Sequence, residues 1–294
     1  MADRVDLHIH SNKSSDGDLS PFQIIRLAKK GNFGAISIAD HDTVAAYPEA
    51  IKYGDRAGVE VIPSIELTTG FKGREFHLLC PFVDWECKLL KELVKEVSGR
   101  RFAEARQRVA KIQELGMQLD WKDVRKEAGD FPPVGVTIAL ACLKKARRMG
   151  DPVWEKYIDK ERQAFSAMGF YNDYFKKGKP AYVPRQLLDL PDAIRIVRKA
   201  GSAPVLSHPG AYFVNAGPED LEELKQGGLE GLEVYSTYHD DSQMDYYLDL
   251  ARRFDLVPTA GSDFHGAVKP HIPFGSFPYG DYSMVESLRI RRAV

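Results

Sequence analysis

The residues with the plainest chemical meaning stand near the start of the chain, in Asp6-Leu7-His8-Ile9-His10. Val5, Leu7 and Ile9 alternate with Asp6, His8 and His10. On an extended strand alternate side chains point to opposite faces. One face is then aliphatic, and the other carries a carboxylate and two imidazoles, the latter about 7 Å apart at Cα. Two imidazoles side by side at the end of an apolar strand suit a divalent metal ion. A His-x-His pair alone is weak evidence, so the weight falls on whether other segments deliver further donors to the same kind of place. They do. His41, Glu66, His77, His208, Asp263 and His265 all fall in or just past short apolar runs, and Asp16 lies in the loop after the first one.

Each of these residues has an ordinary structural reading. A single histidine is usually a hydrogen-bonded structural residue. Asp16 in Ser15-Asp16-Gly17-Asp18 reads as a turn residue, Glu66 as a cap and Asp263 as the anchor of a Gly-Ser-Asp turn. Taken together, these readings require an accidental gathering of carboxylates and of six of the chain's eight histidines at strand ends. A site is the simpler account. His239 also follows a strand and is a second-tier candidate, while His271 stands apart.

The elements that must position these residues alternate. After the first strand, Ser20-Pro21-Phe22-Gln23 reads as a helix start with Ser20 as N-cap, Pro21 in the first turn and Gln23 completing a capping box. Ile24, Ile25, Leu27 and Ala28 form the apolar stripe, and Gly31 closes the helix. Strands are expected over residues 35–39, 59–63 and 75–80, with a helix over 44–58 between the first two. From 180 onward strand and helix alternate again, with strands over 203–207, 229–235 and 256–259. This is the pattern of a parallel α/β fold, in whose barrel form the active site lies at the C-terminal strand ends. Between residues 88 and 179 the alternation stops. That stretch is charged and helical and holds no histidine, so it reads as an inserted helical subdomain that covers the site.

Composition narrows the function classes. The 294 residues are 44% hydrophobic, ordinary for a chain with a sizeable core. Lys and Arg number 41 against 42 acidic residues, so no global basic field is present to hold a long polyanion. No apolar run approaches the roughly 20 residues of a membrane span. No signal peptide is expected ahead of the first strand, and the three cysteines form no C-x-x-C pair. Reduced thiols in a cytoplasmic protein are the expectation, with no membrane and no obligate protein partner.

The blocks Asp6-Leu7-His8-Ile9-His10, Asp40-His41-Asp42-Thr43, Ile65-Glu66, Leu206-Ser207-His208-Pro209 and Gly261-Ser262-Asp263-Phe264-His265-Gly266 resemble the motifs of the PHP (polymerase and histidinol phosphatase) superfamily. More narrowly, they are similar to a bacterial branch of metal-dependent phosphoesterases that includes nucleoside 3',5'-bisphosphate phosphatases and a 5'-to-3' exoribonuclease. Gly178-Lys179-Pro180-Ala181-Tyr182-Val183 also fits that branch. The resemblance implies a distorted (βα)7 barrel over residues 1–87 and 180–294, with residues 88–179 inserted. It implies two or three divalent ions, manganese first, with zinc or iron as alternatives. His8, His10, Glu66 and Asp263 would hold one ion. Glu66 would bridge to another held with His77 and His208, and Asp16, His41 and His265 would lie near a third. The pattern departs from the branch at Phe131-Pro132-Pro133-Val134-Gly135-Val136-Thr137-Ile138-Ala139, where relatives often carry Arg-Pro-His.

The expected chemistry is hydrolysis of a phosphomonoester on a small phosphorylated metabolite by a metal-activated hydroxide, a nucleoside 3',5'-bisphosphate being the first candidate. Asp263 and His239 are the expected catalytic pair, with His239, Lys179, Arg185 and Lys269 contacting substrate; a structural role for His239 is the alternative. Asp6, Asp40 and Asp42 are expected to fix imidazole tautomers. Two other readings remain open: a 5'-to-3' exonuclease on short RNA or DNA, and a non-catalytic metal-binding module.

Overall fold

The computed structural model describes residues 3–159, 164–212 and 214–292. The first strand, β1 (Arg4–Ile9), is buried from Val5 onward, on its polar face as well as its apolar one. It leads through the Ser/Asp/Gly loop to α1 (Pro21–Lys30), which begins as its residues require. The Gln23 N–H donates to the Ser20 hydroxyl, and the Gln23 side chain accepts the Ser20 N–H in return. Ile24, Ile25 and Ala28 are buried, whereas Leu27 lies at the margin of the stripe. β2 (Phe33–Ile38), α2 (Tyr47–Ala57) and the short β3 (Glu60–Val61) follow, and β1, β2 and β3 form a parallel sheet.

Here the chain departs from simple alternation. The strand expected over 59–63 is shorter, and a separate strand, β4 (Glu66–Phe71), pairs antiparallel with β5 (Arg74–Leu79). The two-residue turn between them, Lys72-Gly73, has positive φ at both positions (48° and 74°), the geometry that matches the twist of paired strands. The glycine accepts that backbone without a Cβ penalty.

A long helix, α3 (Lys88–Glu114), begins the inserted stretch. It is followed by α4 (Trp121–Ala128), α5 (Gly135–Met149), the hairpin β6 (Ile158–Asp159) and β7 (Ala164–Phe165), and α6 (Ala167–Tyr174). Alternation then resumes with β8 (Leu188–Asp189), α7 (Leu190–Lys199), β9 (Val205–Leu206), α8 (Pro218–Gln226), β10 (Gly231–Ser236), α9 (Asp241–Arg253), β11 (Val257–Gly261) and α10 (Tyr282–Arg291). The chain divides into two compact units, Met1–Val94 with Leu187–Val294, and Lys95–Gln186. The second unit has its own core, in which Ile112, Leu119, Val124, Ile138, Cys142 and Phe170 are buried together. No helix among the described residues is long and apolar enough to cross a membrane.

In the first unit, a second sheet runs in the order β11-β10-β9-β5-β4-β8, with β5 antiparallel to both neighbours and the other pairs parallel. The two sheets meet at two seams. At one, Ile9 bridges Phe264, the His10 N–H donates to the Phe264 carbonyl at 2.9 Å, and the Asp263 N–H donates to the His8 carbonyl at 2.8 Å. At the other, His41 bridges Glu66, and the Asp42 N–H donates to the Glu66 carbonyl at 2.9 Å. The seams therefore carry the chemistry-bearing residues themselves, and backbone pairing fixes their register.

Candidate metal centre

Glu66 lies at the middle of the gathered residues. Its Oε1 is 3.3 Å from His8 Nε2, 3.1 Å from His77 Nδ1 and 3.4 Å from His208 Nε2. Its Oε2 is 3.2 Å from His10 Nε2 and 3.1 Å from His41 Nδ1. Asp263 Oδ1 approaches His8 Nε2 at 3.2 Å and His10 Nε2 at 3.0 Å, and those two nitrogens are 3.1 Å apart. Asp16 Oδ2 lies 3.4 Å from His41 Nε2 and 3.4 Å from His265 Nε2. Three sets of donors thus converge: His8, His10, Glu66 and Asp263; His41, Glu66 and His77; and His10, Asp16, His41 and His265. His41 sits between the second and third sets rather than in the third alone, and His208 reaches the centre through Glu66.

These residues fit divalent ions. A tetrahedral site with metal–ligand bonds of 2.0–2.1 Å has ligand atoms about 3.3–3.4 Å apart, close to the spacing in the first set. His41 Nδ1 and Glu66 Oε2 are both buried and only 3.1 Å apart, yet neither has a hydrogen-bond partner. His10 Nδ1 and His265 Nε2 are likewise buried without one. Buried polar atoms that converge without hydrogen bonds are costly, and a bound cation satisfies them together.

The electrostatics agree with that geometry. Burial works against ionised carboxylates, but the surrounding imidazoles outweigh it and hold Glu66, Asp16 and Asp263 well below the usual carboxylate range. Burial also disfavours protonated His10 and His77. Carboxylates oppose it, chiefly Asp263 and Glu66 for His10 and Glu66 for His77, and raise each to about 9. For His41 and His265 burial prevails, reinforced by neighbouring imidazoles including His10, and both are lowered.

Second contacts orient the donors. His8 Nδ1–H donates to Glu233 Oε1 at 2.9 Å, which turns Nε2 toward the centre. Glu233 Oε2 also accepts the His208 N–H at 2.7 Å. His265 Nδ1–H donates to the Asp263 carbonyl at 2.7 Å, leaving Nε2 facing Asp16. Asp6 and Asp40, expected to fix imidazole tautomers, are engaged elsewhere. Asp6 accepts the N–H and hydroxyl of Ser262, and Asp40 accepts those of Ser11. Both instead hold the backbone next to a donor-bearing segment. Asp42 accepts the Thr68 N–H.

Asp263 and His208 have φ of 54° and 25°. Such left-handed backbone is uncommon outside glycine and clusters at functional sites. Gly261 gives the close approach that the centre needs, because a Cβ there would come within 2.2 Å of Glu233 Oε1 and 2.3 Å of His8 Cβ.

The remaining candidates separate. Lys269 Nζ donates to Asp263 Oδ2 at 2.8 Å, so it belongs to the centre, and the Tyr238 hydroxyl donates to the same oxygen at 2.6 Å. Sequence reasoning missed Tyr238 and the role of Glu233. The signal for the latter was a carboxylate inside the otherwise apolar run Leu232-Glu233-Val234. His239, expected to bind phosphate or protonate a leaving group, is instead engaged by backbone at both ring nitrogens. Nδ1–H donates to the Val234 carbonyl at 2.8 Å, and Nε2 accepts the Gly210 N–H at 3.0 Å. Burial lowers its pKa, and its ring stacks on Tyr247. The structural alternative therefore describes His239. Lys179 and Arg185 belong to the helical unit, where Lys179 is exposed and Arg185 lies 3.9 Å from Glu104. His271 is exposed.

Comparison with known proteins bears on this arrangement. The PHP domain model matches residues 6–125. A phosphoribosyl 1,2-cyclic phosphate 1,2-diphosphodiesterase of Eggerthella lenta is 30% identical over 92% of this chain and 97% of its own length. The 5'-3' exoribonuclease Rnm of Escherichia coli is 28% identical over 88% of this chain and 84% of its own length. A 3',5'-nucleoside bisphosphate phosphatase of Chromobacterium violaceum is 26% identical over 89% and 87%. With relatives aligned over nearly their whole length and imidazoles and carboxylates converging on one buried point, the chain belongs to the PHP family and is a metal-dependent phosphoesterase.

Proposed function

We propose that the protein hydrolyses a phosphoester on a small ribose phosphate bearing a second phosphate, a nucleoside 3',5'-bisphosphate being the first candidate. The observation that carries the reading is the convergence of six His and two Asp side chains on and around Glu66. Two or three divalent ions, manganese first, would supply an activated water nucleophile and offset phosphoryl charge when bound there. His8, His10, Glu66 and Asp263 are closed from solvent, whereas Asp16, His41 and His77 are partly accessible. The accessible side is where a substrate phosphate would approach. Lys269 brings a positive charge beside Asp263 and is the chain's own anchor for a phosphoryl oxygen. Glu233 and the Asp263 carbonyl keep two imidazoles in the tautomer that presents Nε2 to the centre. No covalent protein nucleophile is needed, and the Cys80 thiol is buried and pushed well up.

The second reading is 5'-to-3' exonucleolysis, favoured by the near full-length likeness to an exoribonuclease. The deciding experiment is product analysis, for inorganic phosphate and for released mononucleotides, after reconstitution with Mn²⁺. The panel is adenosine 3',5'-bisphosphate, AMP, a 5-phosphorylated ribose 1,2-cyclic phosphate and a 5'-phosphorylated RNA. Fast turnover of the bisphosphate with AMP left intact supports the first reading, and stepwise release from RNA selects the second. Full activity in Asp263→Asn would sink both.

A further inference from the structure

Outside the metal centre, the first unit carries a groove of about 850 Å³ between α1 and α2. Its walls include the cations Arg26, Lys29, Lys30 and Arg56 and the rings of Phe22 and Tyr53, and no carboxylate. In a chain with 41 basic and 42 acidic residues, a groove with four cations and no acid is a local departure from the mean. Lys29, Lys30 and Arg56 lie in the last turns of their helices, where the macrodipole favours positive charge. That accounts for their sign but not for the missing counter-charges. Among the described residues none of the four forms an ion pair. Arg26 lies outside that turn, with its guanidinium 5.7 Å from the Phe22 ring centre. Phe22 is 41% exposed, and its ring centre is 4.7 Å from that of Tyr53.

We propose that this groove binds a short stretch of single-stranded nucleic acid, its phosphates on the cations and a base against the Phe22–Tyr53 pair. Cations that track a backbone, together with aromatic faces that stack bases, are what sequence-tolerant strand binding requires. A ten-residue helix is about 15 Å long, so the groove serves only a few nucleotides. A lipid surface fits less well, because the aromatic pair lines a recess rather than a convex rim. Leu19, at the end of the loop that carries Asp16, also lines the groove, so a strand lying in it runs along the helix that follows a donor-bearing loop. The inference goes beyond the metal centre and does not depend on which phosphoester is cleaved there.

The test uses the full chain loaded with Mn²⁺ and a fluorescently labelled ten-nucleotide 2'-O-methyl RNA, with its integrity checked on a gel. Binding is followed by anisotropy between low and moderate salt. Replacing Arg26, Lys30 and Arg56 together by Gln is expected to weaken binding at least fivefold. It should also make the log–log salt dependence shallower by about 2, since each neutralised single-strand phosphate contributes about 0.7. Phe22→Ala is expected to weaken binding several-fold with the salt slope unchanged. Circular dichroism and the thermal midpoint should match wild type in both variants, which shows that they are folded and keeps this test separate from the catalytic one. Absence of binding by the wild-type chain, or equal binding by the variants, overturns the proposal. So does preferential binding of anionic phospholipid vesicles through the same residues.

Discussion

Five imidazoles within 3.1–3.4 Å of one carboxylate leave Glu66 with more candidate partners than the roughly four acceptor sites of a carboxylate. Protons and metal ions compete for these nitrogens. His10 and His77, raised to about 9, carry a proton near neutral pH. A ligand nitrogen must be free of it. Binding of Mn²⁺ near neutral pH is therefore expected to release protons, and apparent affinity should rise with pH until about 9. Calorimetric titrations in buffers of different ionisation enthalpy measure the number released, and a value of zero would contradict the assignment. Glu233 acts one bond further out. Glu233→Gln keeps the shape but removes the charge facing His8 Nδ1, and metal affinity is expected to fall about 10–100-fold. Calorimetry measures that loss, and circular dichroism would show the fold intact.

Among the elements, the two seams between sheets matter most. Strand ends in an α/β fold commonly carry functional residues, but here His8, His10, His41, Glu66 and Asp263 also take part in the pairing of the sheets, so backbone register and donor geometry are linked. Gly261 ends β11 at a point where a side chain would collide with the Glu233–His8 pair. Gly261→Ala is expected to cost about 1–3 kcal/mol, the usual range for overpacking, and to weaken metal binding as well. Gly99, inside α3, faces open space. Gly99→Ala is expected to stabilise the helix by about 1 kcal/mol. Denaturation midpoints of the two variants should therefore move in opposite directions, and a stable Gly261→Ala protein with native metal affinity would show that the close approach is dispensable.

At the scale of the whole molecule, folding and metal binding are linked. A metal bound only by the folded state adds about 2.7 kcal/mol at one hundred times its dissociation constant. The thermal midpoint of the donor-bearing unit should rise with added Mn²⁺ and fall with chelator, and His8→Ala should lose most of that response. The α/β class and the residue types at strand ends were legible in the sequence, because period-2 strands, the Ser20–Gln23 capping box and helix stripes are local patterns. The antiparallel turn at Lys72-Gly73 was missed because β4 contains Thr68, Thr69 and Gly70 and has little apolar alternation. Which donors share a point was a different question. His8 and Glu233 lie 225 positions apart, and periodicity within a strand carries no information about which strands become neighbours. Asp6 on Ser262 and the Gly210 N–H on His239 Nε2 follow from the same non-local pairing. The sequence by itself determined the donor chemistry and the α/β class; the tertiary structure decided the partners, because sheet order and register alone set which side chains meet.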